Sequence, residues 1–574
     1  MKGLVSLLPI FYAIVAADPT VTVGDVTYEG LYKDQVESWL GIRYGQDTSG
    51  SNRFKPPRAY EPVSGTTVHA NDPGPACPQA TGPPTGVLSV GGIPSASEDC
   101  LRLNVARPNG TEACDKLPVM VYIHGGGFVS GSKDEPTTQP GGLIVQSVAN
   151  GHPVINVELN YRLGVFGFMQ SEALKKEGSE NAGLRDQRLA LEWVQDNIEF
   201  FGGDPNKVTI HGQSSGGLAV GMQILAYGAE KPAPFHRAIC QSQALEGEIT
   251  GNTTRNSVSR VVDYVGCNTT SLDSAATVSC LRNLTTEVLY EAFSETASGA
   301  NLGDEWLPVV DGDFLPDAPS SLIDAGRFSN VSAMIGWCEN DAVYFIDATT
   351  VKTANDTRTF FEEFLPAFSQ TNLDHLLDLY PDSEFQTSRF SNGSVKLEAQ
   401  VYRAGRILRD ILLTCQPIFL GTALARAGND VYFYNQNQTI LTEILEYKRN
   451  LYGYGAVHTS EFAYMFGNLS SYNTNGLPFN PTASDYALQD KESRSWSSFA
   501  ALGRPSVAGL DTLQGWRQAD FQDENYGVYV IGGPEAGYSG ANGSHAARQA
   551  IEAQHLQKRC SFLNSPEIIK QLQY

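Results

Sequence analysis

Basic side chains are scarce in this chain: 40 Lys and Arg stand against 63 Asp and Glu, a formal net charge of −23 over 574 residues. Phosphate backbones are gripped by clustered Lys and Arg, so the deficit excludes nucleic acid as a partner. Long apolar runs are missing too. After the opening MKGLVSLLPIFYAIVAADPT no uninterrupted stretch of about twenty apolar residues follows, so no transmembrane span is expected. The chain has no His-Glu-x-x-His, no paired Cys-x-x-Cys, no Gly-x-Gly-x-x-Gly and no Gly-Lys-Ser/Thr. Zinc hydrolase, dinucleotide and P-loop chemistries therefore have no motif here, and neither metal nor cofactor is expected. Repeats and low-complexity tracts are likewise absent. What remains is a globular, loop-rich composition, 41% hydrophobic and 18% charged, with 56 Gly and 30 Pro.

The opening segment joins one lysine to an apolar stretch from Leu4 to Val15, followed by small residues suited to cleavage after Ala16 or Ala17. That is the pattern of a secretory signal over residues 1–17, too short to span a membrane, with the mature chain running from 18 to 574. Asn-x-Ser/Thr sequons at Asn109, Asn252, Asn268, Asn283, Asn330, Asn355, Asn392, Asn437, Asn468 and Asn542 agree with an exported, glycosylated surface. An oxidising compartment makes pairing among the nine cysteines plausible, and an odd number leaves at least one outside intrachain bridges.

β-rich runs alternate with helical patterns, which predicts an α/β fold with a sheet covered on both faces. Leu117–Ile123 and 153–159 read as buried strands, and 186–198 as a helix with Leu189, Trp193, Val194 and Ile198 on its core stripe. Val208-Thr-Ile210 reads as a strand and 216–225 as a helix, with His-Gly-Gln-Ser-Ser-Gly-Gly between them. A serine held on so sharp a strand-to-helix turn needs small neighbours two positions away. Gly212 and Gly216 supply them around Ser214, the Gly-x-Ser-x-Gly nucleophile elbow. A serine is a poor nucleophile alone and needs a base, an acid to orient it and donors for an oxyanion. His124-Gly-Gly-Gly-Phe128 directly follows a buried strand. Its glycines let backbone N–H groups approach a substrate oxygen, so Gly126, Gly127 and the N–H of Ser215 are the expected oxyanion donors.

The chain resembles the type-B carboxylesterase family, which includes cholinesterases and the larger fungal lipases. The segment from Phe201 to Gly216 fits the family's serine signature, and Glu98-Asp-Cys-Leu-Arg-Leu-Asn104 its second signature, with Arg102 where an aromatic is usual. Asn160-Tyr-Arg-Leu-Gly164, Asn181-Ala-Gly-Leu184 and Pro308-Val-Val-Asp-Gly312 match further landmarks. The resemblance covers nearly the whole mature chain and implies one α/β-hydrolase domain with a large, mostly parallel twisted sheet. It also implies the base, His458, in Gly455-Ala-Val-His458 followed by Glu461-Phe. At the acid the chain departs from the family's Asp-Glu-Gly-x-x-Phe, reading Glu339-Asn-Asp-Ala-Val-Tyr-Phe345. Counting back from Phe345 puts Asp341 at the acid position; Glu339 is the alternative, if a loop absorbs an offset of two. Gln213 stands where Glu commonly precedes the serine. The resemblance further implies bridges Cys77 with Cys100, Cys267 with Cys280 and Cys415 with Cys560, leaving Cys114, Cys240 and Cys338 without matching partners.

These observations predict a secreted serine ester hydrolase acting on a small-molecule ester through an acyl-enzyme. Soluble esters of short to medium acyl length are expected, because the loop between Cys77 and Cys100 is rich in proline and glycine. Its close apolar cluster, Val87, Leu88 and Val90, is too small for an amphipathic lid. An interfacial lipase or sterol esterase of the same family is the alternative within the class. A non-catalytic cholinesterase-like binding protein is the alternative outside it, disfavoured by the intact serine, histidine and acid.

Overall fold

The computed structural model describes residues 18–83, 91–244, 247–473 and 481–574. The leader expected at 1–17 and the cluster Val87, Leu88 and Val90 lie outside the described residues. The centre of the molecule is an eleven-stranded sheet. In chain order its strands are β1 (Leu31–Lys33), β2 (Val36–Arg43), β3 (Arg102–Pro108), β4 (Leu117–Ile123), β5 (Ile155–Leu159) and β6 (Gly203–Gln213). Then come β7 (Arg237–Gln241), β8 (Ser332–Cys338), β9 (Val431–Gln436), β10 (Val528–Ile531) and β11 (Gly537–Tyr538). Their spatial order is β11-β10-β9-β8-β7-β6-β4-β5-β3-β2-β1. The run from β5 through β10 pairs in parallel and both ends are antiparallel. A large, mostly parallel sheet flanked by helices is the α/β-hydrolase architecture that the resemblance implies.

Parallel strands covered on both faces must be apolar at nearly every position rather than alternating. Strand β5 is buried throughout, and β4 over its last five residues. The strand read at 208–210 is longer than its apolar run, because Gly203 already pairs with Leu117 across an irregularity in β4. Ladder pairing satisfies backbone groups whatever the side chains, so hydropathy underestimates such a strand.

The helix α1 (Ala182–Asn197) begins a turn before the predicted 186. Leu189 and Trp193 are only half-buried, whereas Leu184, Ala190, Leu191 and Val194 are buried. Polar residues share the covered side. Asp186 is fully buried in a bidentate pair with Arg162 at 2.6 and 2.8 Å, and Gln223 donates to the Leu184 carbonyl. A hydrophobic stripe assigned by periodicity misses a face that is closed by a buried ion pair.

The landmark motifs contact one another. Asn181 Nδ2 donates to the Val309 carbonyl and to Asp311 Oδ2, and Val309 N–H donates back to Asn181 Oδ1. Disulfides join Cys77 to Cys100, Cys267 to Cys280 and Cys415 to Cys560, while Cys240 and Cys338 are buried thiols and Cys114 an exposed one. Among the described residues, the helical stretch Ala399–Arg426 has the length and composition to cross a membrane, but 83% of its most apolar window is packed inside the fold. Arg403, Arg406, Arg409 and Asp410 interrupt it, which is why it does not read as an apolar run.

Candidate active site

Parallel strands deliver their C-terminal ends to one edge of a sheet, and loops leaving that edge converge. Here Ile123 pairs with Gly212, Gln213 with Gln241, and Gln241 with Gly336, so β4, β6, β7 and β8 end together. Ser214 follows β6, His124 to Gly127 follow β4, Ser242 follows β7, and Asp341 lies three residues past β8.

Ser214 joins β6 to the helix α2 (Ser215–Leu225) with φ 62° and ψ −131°, a strained conformation for a residue bearing a side chain. The turn is too tight for side chains on its flanks. A Cβ on Gly212 would meet the Gly216 carbonyl oxygen at 2.4 Å, and one on Gly216 would meet that of Ile123 at 2.2 Å. Gly126, with φ 105°, and Gly127, with φ 62°, bend the neighbouring loop in the left-handed half of backbone space. Ser215 is buried, and its Oγ accepts from the Phe128 N–H at 3.2 Å, tying that loop to the start of α2.

His458 is 5% exposed and Asp341 is fully buried. His458 Nδ1 and Asp341 Oδ1 are 2.6 Å apart. The other carboxylate oxygen accepts from Ser242 Oγ at 2.7 Å and from the Cys338 N–H at 2.8 Å. Asn340 locks the two loops together: its N–H donates to the Ala456 carbonyl, and its side chain to that of Tyr454. Glu339 faces elsewhere, toward Arg406 Nη2 at 2.5 Å and Gln554 Nε2 at 2.7 Å. Of the two acids left open by the sequence, Asp341 is the one brought to His458.

The imidazole's remaining nitrogen, Nε2, lies 3.0 Å from Gln213 Nε2. An amide NH2 only donates and a carboxylate only accepts, so the two neighbours together select the neutral tautomer with its proton on Nδ1. Burial lowers the His458 pKa, but the Asp341 charge and hydrogen bond, with smaller contributions from Glu461 and Asp304, outweigh it and leave it raised. Glu461 is buried within reach of Gln241 and Cys338; burial first, then the charge of Asp341, pushes its carboxyl up. The Phe345 ring stands edge-on to His458, with centroids 5.3 Å apart. No hydrogen bond joins the Ser214 hydroxyl to His458. Such contacts are often long before substrate binds and tighten in the complex.

A cavity of about 350 Å³ opens beside Gly125 and Gly126. Its wall is mainly apolar, with Ile93, Tyr122, Tyr344 and Phe462, and Gln79, Glu135 and Gln213 add polar groups. Ser242, Asn340 and the Gln213 contact escaped the sequence reading. The position of Ser242 directly after a parallel strand, like that of Ser214, was the available signal.

Residues 18–555 match the carboxylesterase family. A protein of Arthroderma benhamiae named a secreted lipase is 45% identical, covering 99% of this chain and 98% of its own. A Byssochlamys spectabilis protein named an inactive carboxylesterase-like protein is 35% identical, over 94% of this chain and 93% of its own. The crystal structure of Aspergillus niger EstA superposes with a TM-score of 0.74 at 25% identity, covering 94% of this chain and 99% of that one.

Proposed function

The chain belongs to the carboxylesterase family and is a carboxylic-ester hydrolase, and from that premise we propose that Ser214, His458 and Asp341 carry the reaction through an acyl-enzyme. The observation that carries this reading is the 2.6 Å contact of Asp341 with His458 Nδ1, which leaves Nε2 as the basic nitrogen at the side of the elbow. Ser214 Oγ attacks the acyl carbon while its proton passes to His458 Nε2. Asp341 holds the Nδ1–H and balances the imidazolium. The carbonyl oxygen takes up negative charge opposite the N–H groups of Gly126, Gly127 and Ser215. His458 then protonates the departing alcohol, and water repeats the sequence to release the acid.

The substrates in this reading are soluble esters of short to medium acyl length, taken up outside the cell. The modest cavity volume of about 350 Å³ and the proline- and glycine-rich loop between Cys77 and Cys100 support the first statement, and the secreted relative and three disulfides support the second. A relative named inactive shows that the fold does not guarantee turnover. The complete serine, histidine and acid set here is what favours activity.

The test is to quench the enzyme during hydrolysis of nitrophenyl butyrate and map the acylated peptide by mass spectrometry. A butyryl group on Ser214, and loss of both adduct and turnover in a folded Ser214→Ala variant, are the expected results. Wild-type turnover by Ser214→Ala would refute the assignment.

A further inference from the structure

The helix α3 (Ala483–Leu502) packs against β4, β6, the helix Gly141–Ala149 and the short helix Phe462–Met465 that follows His458. Its covered stripe runs through Leu488, Trp496 and Phe499, and an acid, Glu492, sits within that stripe, fully buried. A charge buried without a cation is so unfavourable that the group neutralises instead. The surroundings of Glu492 supply no cation. Glu461 and Tyr464 face it from the histidine segment and Tyr434 from β9, while β4 and β6 bring Tyr122 and His211, whose imidazole burial pushes down to about 3. Gly141–Ala149 has no titratable side chain. The cations of α3 and β6 are engaged or exposed: Arg494 pairs with Asp490 and Asp511, Lys207 with Asp204, and Lys491 points to solvent.

What Glu492 does have is an amide. Gln436, the last residue of β9, donates from Nε2 to Glu492 Oε2 at 3.4 Å. The second oxygen of each side chain, Glu492 Oε1 and Gln436 Oε1, is buried without a partner. Both are acceptors when the acid is ionised, so neither can serve the other unless a proton lies between them. A protonated Glu492 closes an acid–amide pair, giving its O–H to Gln436 Oε1 while keeping the bond from Nε2. Burial first, then the charge of Glu461, pushes the Glu492 carboxyl well up, in the same sense. The pair also has a strategic position. Gln436 stands in register with Cys338 at the end of β8, and its carbonyl accepts from the Glu339 N–H at 2.9 Å, where the turn bearing Asp341 begins.

From this geometry we infer that Glu492 is held as an uncharged carboxylic acid and that its pair with Gln436 is a proton-dependent brace, firm in an acidic medium and lost as the medium turns alkaline. The brace ties α3 to the strand ends beneath the acid turn and takes no part in the reaction assigned to Ser214. Its sign follows from where the proton sits. In the unfolded chain a glutamate titrates near its ordinary value of about 4.3, and below that pH both states hold the proton. Above it the unfolded chain ionises while the folded protein keeps its proton. The stability that the pair contributes is therefore fully present below the unfolded value and declines as pH rises toward the folded one.

The experiment compares the wild type with Glu492→Gln, which keeps the shape of the neutral acid and cannot ionise. Urea unfolding midpoints are recorded for both from about pH 5 to about pH 8, and the midpoint of the variant relative to the wild type should climb steadily across that range. Glu158 and Glu461 are further buried acids pushed upward, but both proteins carry them and the comparison removes their share. At about pH 7, unfolding of the wild type in weakly buffered urea should release about one more proton per molecule than unfolding of the variant, read with an indicator dye. A difference in midpoint that stays constant with pH, or equal proton release, would overturn the inference and leave the Ser214 chemistry standing. Glu492→Met, which also cannot ionise, takes the variant's place if Glu492→Gln does not fold. The wild type alone gives a further check: its infrared spectrum at neutral pH should contain the C=O stretch of a protonated carboxyl that moves when glutamate is labelled with heavy carbon. Absence of that band would overturn the inference as well.

Discussion

The side-chain amide of Gln213 donates to His458 Nε2 across 3.0 Å, occupying the nitrogen that receives the Ser214 proton in the proposed reaction. The contact holds the imidazole neutral and must open as the substrate-bound serine takes its place. Gln213→Glu puts an acceptor and a negative charge at the same point, which favours the imidazolium.

A general base works deprotonated, so activity falls as pH drops through the His458 pKa. That pKa is already raised above the ordinary value of about 6.5, so the acid limb of the wild-type kcat/KM profile should be centred above 6.5. In Gln213→Glu it should move up by about one further unit. Profiles on a neutral soluble ester between roughly pH 5 and 9 measure this. Superimposable profiles would show that residue 213 does not address the base.

Asp341 and Glu339 are two residues apart and do different work. Asp341→Asn leaves the shape of the site but removes the acceptor that fixes the tautomer, and should lower kcat by about 10³- to 10⁴-fold. Glu339→Gln loses the charge that pairs with Arg406 and with fully buried Arg409, and should lower Tm by a few degrees with kcat nearly intact. Steady-state kinetics and melting curves on both variants decide it, and the opposite ranking would move the acid's role to Glu339.

Activity toward tributyrin should rise smoothly with concentration through its solubility limit, because the proline- and glycine-rich loop between Cys77 and Cys100 opposes the amphipathic helix that an interfacial lid requires. A pH-stat titration records the rate on either side of that limit. A jump at the first appearance of droplets, with little turnover below it, would favour the interfacial lipase alternative.

The sequons are not equivalent in the folded protein. Asn437 and Asn468 are half-buried, and their amide nitrogens already donate, to Glu535 Oε2 at 3.0 Å and to the Pro136 carbonyl at 2.6 Å. A glycan takes one of the two hydrogens on that nitrogen and needs room that the packed surface beside the bonded amide does not offer. Peptide mapping after enzymatic deglycosylation in heavy-oxygen water should find label at some of the exposed sequons and none at Asn437 or Asn468. Label at either of these two would show that the local packing yields.

Local chemistry determined the elbow. Only glycine fits at 212 and 216, where a Cβ would come within 2.2 to 2.4 Å of a backbone carbonyl oxygen, and a serine between such glycines after an apolar strand is a pattern carried by short-range sterics alone. The buried strands were legible for a similar reason, since a strand covered on both faces must be apolar along its length. The resemblance put the acid at Asp341 by counting back from Phe345, but what holds it there was not legible. Glu339 and Asp341 are acids in one turn, and Asp341 is fixed toward His458 by Ser242, from another strand end, and by Asn340, which ties that turn to the histidine loop. Gln213 was visible as a departure from the family, but its contact was hidden in the same way, because its partner, His458, is separated from it by 245 positions. Periodicity and motif report on neighbours along the chain, whereas the charges and hydrogen bonds that tune a site act between residues that only the folded sheet and its converging loops bring together.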